Sequence, residues 1–148
     1  MTRISFVVYS RAAPQGSKKS LGNGIMVESS RRVKPFRQDV RFAALDQIPS
    51  GWPMDAPMRA SYRFHFKRPQ SHLTSKGNLT KSAPSYPTGR MVGDLDKLIR
   101  ATCDALTGIA YHDDSQVVEI ATCKAYDDRD LVIITLEPVD TTSPPGIP

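Results

Sequence analysis

Residues 58–67, MRASYRFHFK, alternate without a break. Met58, Ala60, Tyr62, Phe64 and Phe66 fall on one side of an extended chain, and Arg59, Ser61, Arg63, His65 and Lys67 on the other. Only a period-two backbone separates these sets; a helix would wrap both around its axis. The segment therefore reads as a β-strand with one face in a core and a basic face outside. A single strand needs neighbours and a cover, and the rest of the chain supplies both. Arg3–Tyr9, Gln116–Tyr126 and Leu131–Glu137 are rich in β-branched and aromatic residues, and Asp127–Asp130 is a short polar turn between the last two. A helix is expected from near Lys34, with Pro35 in its first turn and Phe36, Val40 and Ala44 as its apolar stripe, ending before Pro49. A second is expected over Asp94–Thr107, burying Leu95, Leu98, Ile99, Thr102 and Leu106, with Gly108 just past its end. The expected fold class is α/β (α+β): a small mixed sheet of about four strands packed with two main helices.

The connections are less regular. Ser10–Arg32 reads as a polar loop with a short hairpin around Asn23-Gly24. Pro69–Gly93 is 25 residues long, holds three prolines and has no Asp or Glu; it reads as a basic, mobile arm that orders on a polyanion. From Pro138 four prolines punctuate the last 11 residues, 138–148, which read as a disordered tail. Residues 1–137 are then one domain. No apolar run is long enough to span a membrane, and the N-terminus lacks the form of a signal peptide, so a cytoplasmic protein is expected. The two cysteines, Cys103 and Cys123, lack the spacing of a zinc site and read as reduced thiols.

Charge is divided along the chain. Residues 1–93 carry 16 Lys/Arg against 4 Asp/Glu, a balance of +12; residues 94–148 carry 4 against 11, a balance of −7. A basic region of this kind suits a polyanion, because each phosphate contact releases condensed counterions. The acidic half is clustered: Asp94 and Asp96 bracket a helix start, and Asp113 and Asp114 follow the same helix. If the helix packs on the next strand, three or four carboxylates could form one group. Such a group repels itself unless a cation holds it, and oxygen-only donors suit Mg²⁺ or Mn²⁺. A metal beside a basic surface is the equipment for phosphodiester hydrolysis. Against this, an aspartate at a helix N-terminus is usually a cap.

Three blocks in order narrow the choice: Asp94-Leu95-Asp96-Lys97-Leu98-Ile99-Arg100, Asp104-Ala105-Leu106-Thr107-Gly108, and Tyr111-His112-Asp113-Asp114-Ser115-Gln116-Val117. Together they resemble the RusA-type Holliday junction resolvases, whose pattern is D-x-D-N-L-x-K, then D-A-L, then D-D-x-Q-V. The resemblance implies a homodimeric nuclease that cuts four-way DNA junctions with Mg²⁺ and takes no small-molecule substrate. It maps the essential aspartates to Asp94, Asp96 and Asp114, with Asp113 a further metal candidate. The chain departs from the pattern at Lys97, in place of Asn, and at Arg100, in place of Lys. Arginine keeps the charge and binds phosphate, but stays protonated and is a poor proton donor. Candidate DNA contacts are Lys18, Lys19, Arg63, Lys67, Lys76, Lys81, Arg90, Lys97 and Lys124, the last matching a position often Lys in the family. Trp52, Tyr86 and Tyr111 are candidates for stacking on unpaired bases, and His112 for a supporting role near the aspartates. Two rival readings are a non-catalytic DNA-junction-binding protein and a D-x-D metal-dependent transferase. A restriction-type site is disfavoured, since Glu119 is not followed by the required Lys.

Overall fold

A computed structural model describes residues 2–16, 18–22, 25–28 and 31–142, with side chains left out at 18–21 and 25–28. Among these residues, six strands and two α-helices follow in the order β1 (Ile4–Val8), β2 (Lys18–Gly22), β3 (Ile25–Glu28), α1 (Val33–Gln47), β4 (Met58–Lys67), α2 (Leu95–Leu106), β5 (Val117–Asp127) and β6 (Leu131–Pro138). β1, β6, β4 and β5 form one mixed sheet in that spatial order, and β2 and β3 form a separate antiparallel ribbon. This is the expected small α+β fold.

β4 is central because its alternation satisfies two neighbours and a cover at once. It pairs antiparallel with β6, Tyr62 opposite Ile134, and parallel with β5, Phe64 beside Lys124. Its apolar set is buried throughout: Met58, Tyr62 and Phe64 are fully inaccessible and Ala60 and Phe66 nearly so. The same face receives Val132, Ile134 and Leu136 from β6 and Phe6 and Val8 from β1. α1 covers it with Val33, Phe36, Val40 and Ala44, and α2 with Leu98, Ala101, Thr102, Ala105 and Leu106. Thr102 is polar yet buried because its hydroxyl donates to the Leu98 carbonyl at 2.9 Å.

Parallel strands need a crossover, and here β4, α2 and β5 make one. The helix must return against the strands, so its N-terminus lies at the carboxyl ends of β4 and β5, where open α/β sheets form their ligand crevices.

The segment 69–93 is folded against the domain rather than structureless. It holds a 3₁₀ turn at Gln70–His72 and a Leu73–Leu79 bridge. Arg68 donates to the Pro84 carbonyl at 2.8 Å, and Pro87 and Val92 are buried. At the C-terminus, Pro138 belongs to β6 and is buried, and Val139 N donates to the Pro57 carbonyl at 2.8 Å, so the packed chain continues past the expected start of the tail. Residues 143–148 lie outside the described residues, as do Asn23 and Gly24. The β2–β3 ribbon flanks that expected turn, pairing Gly22 with Ile25.

Candidate active site

The site begins at a close approach. Gly93 has φ +95°, and a Cβ there would fall 2.7 Å from the Pro14 ring. Only glycine lets the chain turn under Pro14 into α2. Asp94 follows as the N-cap residue, with its carbonyl accepting from Lys97 N and Leu98 N. Its carboxylate makes no capping hydrogen bond and is exposed. Lys97 Nζ stands 3.6 Å from it. On the other side, Lys124 reaches from β5 and donates from Nζ to the Gly93 carbonyl at 3.0 Å. Asp96, in the first turn of α2, is exposed. Two carboxylates and two lysines therefore surround the start of α2.

Residues 10–16 run beside this helix. Gln15 N donates to the Lys97 carbonyl at 3.0 Å, and the Gln15 side-chain amide donates to the Asp104 carboxylate. Gly16, at φ +125°, lies against the Arg100 guanidinium: a Cβ there would fall 2.6 Å from Nη1. Arg100 comes four residues after Asp96, on the same helix face. The three are set one turn apart, Asp96, Arg100 and Asp104, in the order carboxylate, guanidinium, carboxylate.

The far end of α2 is organised for structure. The Tyr111 hydroxyl donates to the Cys103 carbonyl at 2.8 Å, and Tyr111 is fully buried. The Asp113 carboxylate accepts from Ser115 N at 2.8 Å, while Gln116 Oε1 accepts from Asp113 N at 3.0 Å, a reciprocal cap. Gln116 also donates to the Met54 and Ala56 carbonyls, which ties this turn to the chain before β4. The backbone N–H of Ser115 holds the Asp113 carboxyl below its ordinary range. Asp114 goes the other way: partial burial raises it first, then the charges of Asp113 and Asp104.

The four aspartates are thus not one cluster within a chain. α2 runs opposite to β5, so Asp94 and Asp96 sit beside Lys124, whereas Asp113 and Asp114 precede Val117, seven residues or about 23 Å back along the strand. Asp96 and Asp104, the latter close enough to raise the Asp114 carboxyl, are about 12 Å apart along the helix axis. Among the described residues no group of three or more His, Cys, Asp or Glu is arranged to hold a metal ion. What the chain does offer a hard cation is the Asp94–Asp96 pair. Mg²⁺ commonly takes one or two carboxylates and completes its shell with water and substrate phosphate oxygens, and an uncapped, solvent-facing Asp94 fits that mode.

The basic candidates divide. Arg90 lines a cleft of about 430 Å³ with Arg11, Arg31 and Arg32, and Pro14, which touches Gly93, lines the same cleft. Sequence reasoning singled out only Arg90 of the four; the visible signal was the Arg31-Arg32 pair just before a helix whose first turn holds no acid. Lys67 lines a second cleft, on the Tyr126 side. Lys76 and Lys81 are exposed on the loop 69–93, and Arg63 is exposed on the outer sheet face. That face is less basic than its alternation implies, because Glu119 pairs with Arg59 at 2.6 Å and Asp127 with His65 at 2.7 Å. The side chains of Lys18 and Lys19 lie outside the described residues. Of the stacking candidates, Trp52 is buried with Nε1 donating to the Ala110 carbonyl at 2.8 Å, and Tyr111 is core; Tyr86 is exposed. His112 pairs with Asp55 at 2.8 Å on the surface.

Comparison with known proteins agrees with the three sequence blocks. An uncharacterized protein of Bacillus subtilis (strain 168), YqaN, is 27% identical over 141 residues, covering 94% of this chain and 99% of that protein. The family described as endodeoxyribonuclease RusA matches residues 11–137, which include the arginine cleft, the start of α2 and the capped Asp113 turn. The chain belongs to the RusA endodeoxyribonuclease family.

Proposed function

We propose that this chain is a Mg²⁺-dependent endonuclease that resolves four-way DNA junctions as a homodimer. The observation that carries the reading is the start of α2: an N-cap aspartate that does not cap, set beside Lys97 and Lys124, with an arginine cleft next to it. A structural cap would have engaged its carboxylate with a helix N–H, as Asp113 does. Asp94 and Asp96 would hold the cation, which would supply charge for the phosphate and activation of water. The arginines of the cleft would bind backbone phosphates and set the register of the strand. Arg100 would stabilise charge on the phosphate oxygens, and Lys124 would contact the scissile phosphate. Water adds to phosphorus, the P–O3′ bond breaks, and the products are a 5′-phosphate and a 3′-hydroxyl.

Substrate symmetry and the placement of the aspartates support a dimer. A four-way junction has approximate two-fold symmetry and needs two opposed nicks, which an isologous dimer with two equivalent sites provides. Because the Asp94–Asp96 and Asp113–Asp114 pairs lie at opposite ends of α2, two chains set antiparallel along this helix would bring unlike pairs together.

The test is cleavage of labelled synthetic junctions, forks and linear duplex, with Mg²⁺ and with chelator. Paired nicks in the junction that require Mg²⁺ are expected. Intact junctions under every metal tried, with binding retained, would instead support a non-catalytic junction-binding protein.

A further inference from the structure

Beyond the phosphate contacts, we infer that the cleft beside Tyr126 receives an unpaired nucleobase of the DNA. The inference rests on the nuclease reading for its class of ligand, and on the cleft itself for everything else. Its volume is about 610 Å³, within the roughly 300–1,000 Å³ typical of small-molecule sites. Lys67, Arg68, Leu79, Tyr86 and Tyr126 are among the residues that line it.

The walls are aromatic and held in place. The Arg68 guanidinium lies over the Tyr126 ring at 4.3 Å, and the His72 ring meets that ring edge-on at 5.4 Å. Arg68 also donates to the Pro84 carbonyl, which fixes the loop leading to Tyr86. Pro87, the next residue after Tyr86, is buried, and Thr88 N donates to the Tyr86 carbonyl at 3.0 Å. The backbone of Tyr86 is therefore pinned on both sides while its side chain is left 68% exposed, with Leu79 56% exposed across the same cleft. A large ring kept in water on a pinned backbone offers a stacking surface. Base–aromatic stacking tolerates any base, because each has a π-face.

Charge separates this cleft from the arginine one. Asp127 and Asp128 are also in its lining, and carboxylates repel phosphate. Among the described residues the arginine cleft has no acid in its lining, and it suits the backbone. The Tyr126 cleft, where Lys67 and Arg68 stand beside Asp127 so that opposite charges offset, suits a neutral, flat, polar-edged group. Its position fits as well. Tyr126 is two residues beyond Lys124 on the same face of β5, about 7 Å along the strand from the residue that touches Gly93. A strand whose phosphate lies at Asp94 would have a neighbouring nucleotide within reach of the cleft.

The experiment compares binding to a linear duplex with binding to the same duplex carrying one bulged 2-aminopurine, in chelator so that no cutting occurs. The wild-type protein should bind the bulged DNA about tenfold more tightly, with a change in 2-aminopurine emission as the base leaves its own stack. Tyr86→Ala should remove both the preference and the emission change while leaving affinity for linear duplex as it was; Tyr86→Phe should keep both. A Tyr86→Ala protein that retains the full preference overturns the assignment. Wild-type protein that binds the two DNAs equally overturns it too, and leaves the nuclease reading standing. Wild-type protein that binds neither DNA, nor a junction, overturns both.

Discussion

Gly16 and Arg100 share one surface: the glycine's missing side chain is the space that the guanidinium occupies, 2.6 Å from where a Cβ would stand. The arrangement fixes the direction of a cation one helical turn from Asp96. Gly16→Ala should therefore push Arg100 away and also strain a backbone held at φ +125°, lowering both cleavage and melting temperature, the strain alone costing about 1–3 kcal/mol. Arg100→Ala isolates the charge. It should lower cleavage by about 2–4 kcal/mol of transition-state stabilisation, and Arg100→Lys should keep substantial activity. Single-turnover rates on a junction decide the matter, and an Arg100→Ala protein as fast as wild type removes the residue from the site.

The aspartates that flank helix boundaries should behave in opposite ways. Asp94 makes no cap, so Asp94→Asn should leave the melting temperature nearly unchanged and reduce cleavage by roughly 10²–10³-fold or more. Asp96→Asn should also abolish cutting with binding retained, and Asp114→Asn should do so through the dimer, where antiparallel pairing along α2 brings Asp114 to the partner's Asp94–Asp96 pair. Asp113 is a working cap, so Asp113→Ala should lower the melting temperature, because Ser115 N then has no carboxylate to donate to. Thermal melts beside cleavage assays distinguish the two kinds of residue.

Removing Arg31, Arg32 or Arg90 should weaken binding to all DNA sequences alike. Each arginine that meets a phosphate should, when replaced by alanine, also reduce the slope of log affinity against log salt by about 1. The measurement is a salt titration of duplex binding for each alanine variant. An unchanged slope in all three would show that the cleft faces something other than phosphate.

The outer sheet face should leave an acid signature. The hydrogen bond from the His65 ring holds the Asp127 carboxyl below its ordinary range, aided by the Asp128 N–H. A carboxyl depressed on folding stabilises the native state fully above its unfolded value, and that contribution is lost as pH falls through the lower folded value. His65→Ala should therefore reduce stability at neutral pH and flatten the acid limb of a stability profile below the ordinary carboxylate range. Equal acid limbs in the two proteins would refute the coupling.

Much of this molecule was legible in local pattern. The alternation of residues 58–67 specified a half-buried strand because side chains on extended backbone point to opposite faces, and the two apolar stripes specified the helices that cover it. The three blocks from Asp94 to Val117 marked the family. Pattern could not say where the ends of those elements meet. The direction of α2 against β5 separated two aspartate pairs that sequence proximity had brought together, and only the cap geometry showed that the Asp113 carboxylate caps its helix while that of Asp94 does not. Gln15, Gly16, Arg11 and Arg31 entered the site from far along the chain, because a buried crossover helix gathers its neighbours by packing rather than by sequence distance. The loop 69–93 looked structureless for the same reason: its order comes from Arg68, Tyr126 and the buried Pro87 and Val92, interactions that exist only once the sheet has formed.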